Sequence, residues 1–180
     1  MKRISIALAL GAALVAVPAA AQEETTDHGG FKVGAVAGYD VINLEVGGVS
    51  GNDSGVVYGV TAGYDIQSGK GIIGAEVEVT DTSISDGVGN AGLDLYAGLR
   101  LGYEMDANDL IYLKAGYSNV DVDLSDNLEG VRVGAGFEHE FDGFFGRLEY
   151  RYSTYNVSEA LGFEANDNRH QVVVSVGAKF

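Results

Sequence analysis

The sequence predicts an all-β chain folded as an eight-stranded antiparallel up-and-down β-barrel. Three observations carry this reading. From Phe31 onward, apolar residues recur at every second position, the period of a strand and not of a helix. Eight such runs follow one another, and the connections between them alternate between short and long. The opposite face of the runs is glycine and charge, and the two signs of charge are balanced there.

The runs, in order, are these. Phe31, Val33, Ala35, Ala37 and Tyr39 form the first; Val56, Tyr58, Val60, Ala62, Tyr64 and Ile66 the second. Ile73, Ala75, Val77 and Val79 form the third; Leu93, Leu95, Ala97, Leu99, Leu101 and Tyr103 the fourth. Ile111, Leu113, Ala115 and Tyr117 form the fifth; Val131, Val133, Ala135, Phe137, His139 and Phe141 the sixth. Phe144, Gly146, Leu148, Tyr150 and Tyr152 form the seventh; Val172, Val174, Val176, Ala178 and Phe180 the eighth. Only His139 and Gly146 interrupt the apolar face.

Three connections are tight: Gln67–Lys70, Asp106–Asp109 and Asp142-Gly143, the last a strong two-residue hairpin signal. The other four are expected to be loops of roughly 10 to 14 residues, rich in Asp, Asn, Ser and Gly. One end of the structure therefore has tight turns and the other has long acidic loops. A soluble sandwich is the competing architecture, but its connections seldom alternate so regularly.

Ahead of the strands, Lys2 and Arg3 precede an apolar stretch from Ile4 to Val17 and then Ala19-Ala20-Ala21. This is the pattern of a cleaved export signal; the stretch is short for a membrane anchor. The expected organisation is a signal peptide over 1–21, a short tail over 22–30, with His28 solvated, and a barrel over 31–180. The chain carries 26 acidic and 11 basic side chains, and no cysteine. The acidic balance excludes a nucleic-acid partner, whose phosphates need a basic surface. The lack of cysteine excludes disulfides, thiolate metal sites and cysteine nucleophiles.

Alternation alone does not say which face is inside, and four features decide it. The polar faces carry Lys32, Arg100, Lys114, Arg132, Arg147, Arg151 and Lys179 against Glu76, Glu78, Asp94, Glu104, Glu138, Glu140 and Glu149, seven of each sign. A closed interior requires such balance, because unpaired buried charge is very costly. Glycines on the same face make room for long side chains inside a narrow barrel. Aromatic residues flank an aliphatic middle on the apolar face. Phe31 to Tyr39 spans roughly 20 Å, close to the apolar band of an outer membrane. Finally, Phe180 ends an alternating strand. The expected structure is thus a transmembrane barrel with an interior ion network of Glu76, Glu78, Arg100, Lys114, Arg132, Glu138, Glu140, Arg147, Glu149, Arg151 and Lys179. The Asp142-Gly143 turn places Glu138 opposite Arg147, where a bidentate bridge is expected with Glu140 reaching Arg147 diagonally.

These features together resemble the small outer-membrane β-barrel family of OmpA/OmpX and opacity-type porin kind in Gram-negative bacteria, over residues 31–180. The resemblance rests on topology, face pattern and Phe180, which matches the terminal signal read by the barrel-assembly machinery. It implies a multi-pass outer-membrane protein with both termini in the periplasm and the acidic loops outside. It also implies contacts with outer-membrane lipid and lipopolysaccharide, and with host or environmental surface ligands. Members have structural or adhesin-like roles, and some have weak pore activity. The peptidoglycan-binding domain of full-length OmpA has no counterpart here, so that function is not carried over.

No catalytic, metal or cofactor set emerges. His28, His139 and His170 do not sit at metal-ligand spacings. Some small outer-membrane barrels modify lipid A with an outward His and Ser. Here Val172 stands two residues after His170, and only Ser153 and Ser158 lie nearby. Asp121, Asp123, Asp126 and Glu129 lack the glycine and spacing of an EF-hand. They read as a hydrated loop or as weak divalent-cation bridges to lipopolysaccharide. The expected function is non-enzymatic surface interaction. A narrow ion-conducting pore and a lipid A-modifying enzyme are the alternatives.

Overall fold

The computed structural model describes residues 28–46, 49–83, 85–86, 89–122, 128–156 and 165–180. The export signal over 1–21 and the tail as far as residue 27 lie outside the described residues. Eight long strands make up the fold: β1 (Gly30–Val46), β2 (Val49–Ser68), β3 (Gly71–Thr82), β4 (Gly89–Asp106), β5 (Asp109–Val122), β6 (Leu128–Phe141), β7 (Phe144–Asn156) and β8 (Ala165–Lys179). A two-residue strand, Ser85–Asp86, pairs back onto the start of β4. Each long strand is antiparallel to its neighbours in sequence, and the β1–β8 ladder closes the barrel. Phe31 and Phe180 complete that seam with two backbone hydrogen bonds of 3.0 and 2.8 Å.

The turn between β6 and β7 shows how the sequence sets the register. Asp142 and Gly143 have φ of 44° and 77°, the left-handed pair that a type I′ hairpin requires. Phe141 therefore pairs with Phe144, and Glu138 with Arg147. A slip of one residue would turn every side chain of β7 over.

The strands are longer than the apolar runs. A long loop is expected after the first apolar run, yet β1 and β2 stay paired from Asp40↔Gly55 out to Val46↔Val49. Between paired segments only two residues stand on each side of Ser85–Asp86 beyond β3, five beyond β5 and eight beyond β7. The expectation of four loops of 10 to 14 residues is corrected accordingly. Turn-rich composition marks a turn only where the backbone lacks a partner; here the ladder continues past the apolar band and supplies one. A second correction concerns His28, which is fully buried and not solvated.

Exposure alternates along each strand, with charge inside and apolar side chains outside. Phe31, Tyr64, Tyr103, Phe141, Phe144 and Phe180 are exposed around the tight-turn end, and Tyr39, Tyr58 and Tyr117 around the other. Among the described residues the interior holds only small apolar clusters. Val36, Val57 and Val173 form one small internal cluster, and Ile72, Leu110 and Tyr112 another.

Candidate functional site

The interior is a chain of alternating charges from one mouth to the other. At the tight-turn mouth Lys179 Nζ lies 2.5 Å from Glu140, and Lys32 Nζ 2.8 Å from the same carboxylate. Lys32 also pairs with Glu138, which in turn accepts from Arg147 and, at 3.1 Å, from Arg100. Arg147 Nη1 reaches Glu76 at 2.6 Å, Glu76 takes Lys114 at 2.9 Å, and Lys114 reaches Glu149 at 2.8 Å. Glu149 pairs with Arg151, whose two terminal nitrogens hold Glu78 at 2.6 Å each. Arg132 then joins Glu78 at 3.5 Å to Asp94. Arg169 joins Asp94 at 2.9 Å to Asp40 near the far mouth.

All eleven residues of the expected network lie on this inner face, with Lys179 and Glu140 partly open at the mouth. Three details differ from expectation. Arg147 does not grip Glu138 with two nitrogens; it forks between Glu138 and Glu76. Two-nitrogen grips form instead at Arg151–Glu78 and Arg169–Asp40. Glu140 turns away from Arg147 toward Lys32, Lys179 and His28, because the mouth supplies nearer cations. Glu104, also expected inside, sits at the rim and accepts from Gln67 at 2.5 Å.

Sequence reasoning missed Asp40, Asp65 and Arg169. Asp40 and Arg169 lie in strand extensions that read as loop, while Asp65 occupies the inward phase of β2 between Tyr64 and Ile66. It also missed the inward tyrosines. Tyr112 donates to Glu149 at 2.6 Å, and Arg100 lies over its ring at 4.3 Å. Lys114 lies 4.7 Å from the ring of Tyr96. Both rings strengthen the cations' hold on the interior. They also explain glycines assigned to making room for Arg and Glu: a Cβ on Gly136 would come 2.5 Å from the Tyr112 ring and hydroxyl.

At the tight-turn mouth His28 acts as a lid. Its backbone N–H donates to Gln67 at 2.5 Å, and its Nδ1 lies 3.2 Å from Glu140. The Glu140 hydrogen bond raises the His28 pKa above the usual histidine value, against the opposing effect of burial. His28, Glu138 and Glu140 bring ligand-type atoms within 4.8 Å of one another. The Lys32 ammonium already sits on both carboxylates, so the cation of this pocket is the protein's own.

The outer wall separates the two residues that a lipid-modifying site would need. Ser153 is fully buried inside and accepts from Arg132 Nε at 2.9 Å. His170 pairs with Tyr152 in the ladder and bonds Tyr150 on the outer face at 2.7 Å. Ser158 lies outside the described residues. His139, also on the outer face, pairs with Asp109 at 2.7 Å near the tight-turn rim.

Comparison with known proteins places this geometry. Neisserial surface protein A superposes with a TM-score of 0.54 at 18% identity, covering 83% of this chain and 97% of that one. Ail, the attachment invasion locus protein of Yersinia pestis, gives 0.53 at 12% identity, covering 83% and 99%. The outer membrane enzyme PagL gives 0.50 at 14% identity, covering 81% and 97%. At these identities the likeness is one of fold. No curated protein matches the sequence. Residues 7–180, however, match the outer membrane protein beta-barrel domain family. The chain belongs to that family and is an outer-membrane barrel of eight strands.

Proposed function

We propose that this barrel is a non-enzymatic surface protein, held with its tight turns and both termini in the periplasm and its acidic strand extensions and their connections outside. In this reading it acts through an acidic outer rim. One observation carries the reading: the charges are segregated. Beyond the export signal the sequence has nine Lys and Arg residues. Eight line the interior or its mouth, and the ninth, Lys70, lies in a tight turn. Among the described residues the opposite end contributes Glu45, Asp53, Asp81, Asp86, Asp121, Glu129 and Asp167, and its one base, Arg169, is turned inward; the sequence between those strands adds Asp123, Asp126, Glu159 and Glu164. Such a rim attracts cationic surfaces, or anionic lipopolysaccharide through bridging divalent cations.

The alternatives have less support. A pore needs a water path, but an eight-stranded barrel has room for little beyond its own side chains, and here they form a continuous ion-paired chain. A lipid A-modifying site of His-and-Ser type would need its serine on the lipid side, whereas Ser153 is inside. Planar-bilayer recordings should show no steady conductance, and mass spectrometry of lipid A from expressing cells should show no change.

The decisive test is binding by displaying cells. They should capture polylysine-coated beads at low salt and release them at high salt, and capture should fall when Asp121, Asp123 and Asp126 are changed to Asn. Calcium-dependent retention of lipopolysaccharide that a chelator abolishes would favour the bridging form. Capture indifferent to salt and to these substitutions would sink the acidic-rim reading. Assembly itself is assigned to Phe180 as the signal for the barrel-assembly machinery. Removing Phe180 should lower surface levels far more than deleting 47–52.

A further inference from the structure

We propose that the tight-turn mouth is a binding site for a divalent zinc-type ion, ligated by His28, Glu138 and Glu140, whose place the Lys32 ammonium keeps. The ligand-type atoms of these three residues lie within 4.8 Å of one another. His28 Nδ1 and Glu140 Oε1 are 3.2 Å apart. Two atoms each about 2.0–2.2 Å from one tetrahedral zinc stand roughly 3.3 Å from each other, so this pair already has the spacing of two ligands. Glu138 Oε1 faces the same point, since Lys32 Nζ bridges it to Glu140 Oε1.

The other carboxylate oxygens are held as a metal site requires. Glu140 Oε2 takes Lys179 at 2.5 Å, and Glu138 Oε2 takes Arg147 and Arg100. Each Oε2 is anchored from outside, and each Oε1 is left to the pocket. Such outer contacts orient the ligands of metal sites. His28 is fully buried, and beyond Glu140 its ring has no side-chain partner among the described residues. Glu140 and Lys179 are partly open at the mouth, which gives an ion a way in.

Lys32 is the competitor, and the structure holds a second berth for it. Its Nζ lies 3.2 Å from Asp65 Oδ2, and that oxygen, on a buried side chain, makes no hydrogen bond. A buried acceptor is seldom left so. When an ion takes the two Oε1 atoms and the imidazole, the ammonium moves onto Asp65 and satisfies it. The ion then ties the segment ahead of β1 to β6 and caps the mouth. Nothing in this depends on which way the barrel faces in the membrane.

The test is zinc binding by the full barrel folded in detergent micelles, measured by equilibrium dialysis with elemental analysis. Heat-modifiable gel migration verifies folding of each variant. Wild type should retain one zinc per barrel at a free concentration on the order of 10 μM, and the ion should protect the chain around His28 from protease. His28→Ala, which lies outside the strands and leaves the ladder intact, should abolish both effects. His139→Ala and His170→Ala, on the outer wall, should change neither. Lys32→Met should tighten binding about tenfold, because a like charge at contact distance no longer opposes the ion. Asp65→Asn should weaken binding severalfold, because Lys32 loses its second berth; this variant decides the point where Lys32→Met does not fold. No retention by wild type, equal retention in His28→Ala, or loss of retention in His139→Ala or His170→Ala would overturn the proposal. Binding indifferent to both Lys32→Met and Asp65→Asn would overturn it as well.

Discussion

The two halves of the barrel interior use the same chemistry with different redundancy. In the tight-turn half, Glu138 is shared by Lys32, Arg100 and Arg147. In the far half, Asp40 has a single cationic partner among the described residues, Arg169; its other neighbours, Thr82 and Gln171, are neutral donors at 3.2 and 3.3 Å. Both carboxylates are fully buried. The comparison teaches that the cost of losing a buried cation is set by what the stranded carboxylate keeps, and not by burial alone.

The largest effect is accordingly expected at the less redundant end. Arg169→Ala strands Asp40 and should cost about 3–5 kcal/mol, the usual penalty for breaking a buried pair. Arg147→Ala invites the same figure from the hairpin register alone. The structure lowers it, because Glu138 keeps Lys32 and Arg100 and Glu76 keeps Lys114; about 1–3 kcal/mol is expected, as for a group losing one of several charged hydrogen bonds. Urea titration of folded barrel in micelles, read by gel migration, gives both numbers. The opposite order would show that redundancy is not what protects the tight-turn half.

A double substitution sharpens the same point. Asp40→Asn with Arg169→Gln removes both charges while keeping similar volume. It should cost less than Arg169→Ala, because no charge is left unpaired. A double variant as unstable as the single would mean that packing, and not charge, dominates at that mouth.

This asymmetry also bears on how far the sequence could be read. The tight-turn half was legible because Asp142-Gly143 allows one turn type, and that turn fixes Glu138 opposite Arg147 before any tertiary fact is known. The far half was not. Asp40 and Arg169 sit beyond the apolar runs, among residues whose composition marks loops, and only the continuing β1–β8 ladder brings their strands side by side. Partner choice was less legible still. Register names the residue across the strand, but an Arg or Lys side chain crosses the lumen, as Arg147 does to Glu76 and Arg151 to Glu78, and period-two pattern says nothing about that. The inward Tyr96 and Tyr112 were missed because the polar phase of a membrane strand was read by its charges alone.

A smaller effect is expected where tyrosine and glycine interlock. Gly136→Ala places a methyl against the Tyr112 ring and should cost about 1–3 kcal/mol by overpacking. Tyr112→Leu in the same chain should recover part of that loss. A Gly136→Ala barrel with wild-type stability would show that Tyr112 has another place to go, and that the interior is looser than its ion pairs imply.

The smallest effect concerns the lid and depends on pH. His28 is held by Glu140, and its pKa is raised in the folded barrel. A raised value means that the folded state holds the proton more tightly than the unfolded one, so the lid's contribution is fully present below the ordinary histidine value of about 6.5 and is lost as pH rises through the folded value. Lys32 opposes this, since its ammonium repels a protonated imidazole; Glu138, Glu104 and Lys179 also surround the mouth, and from the turn side Asp106 contributes a backbone hydrogen bond that favours protonation. The net direction follows the hydrogen bond to Glu140. Wild type should therefore lose stability relative to His28→Asn as pH rises above the ordinary histidine value of about 6.5, and protease should reach the chain around His28 more readily at higher pH. Parallel stability curves for the two proteins would mean that His28 closes the mouth by shape, with its proton playing no part.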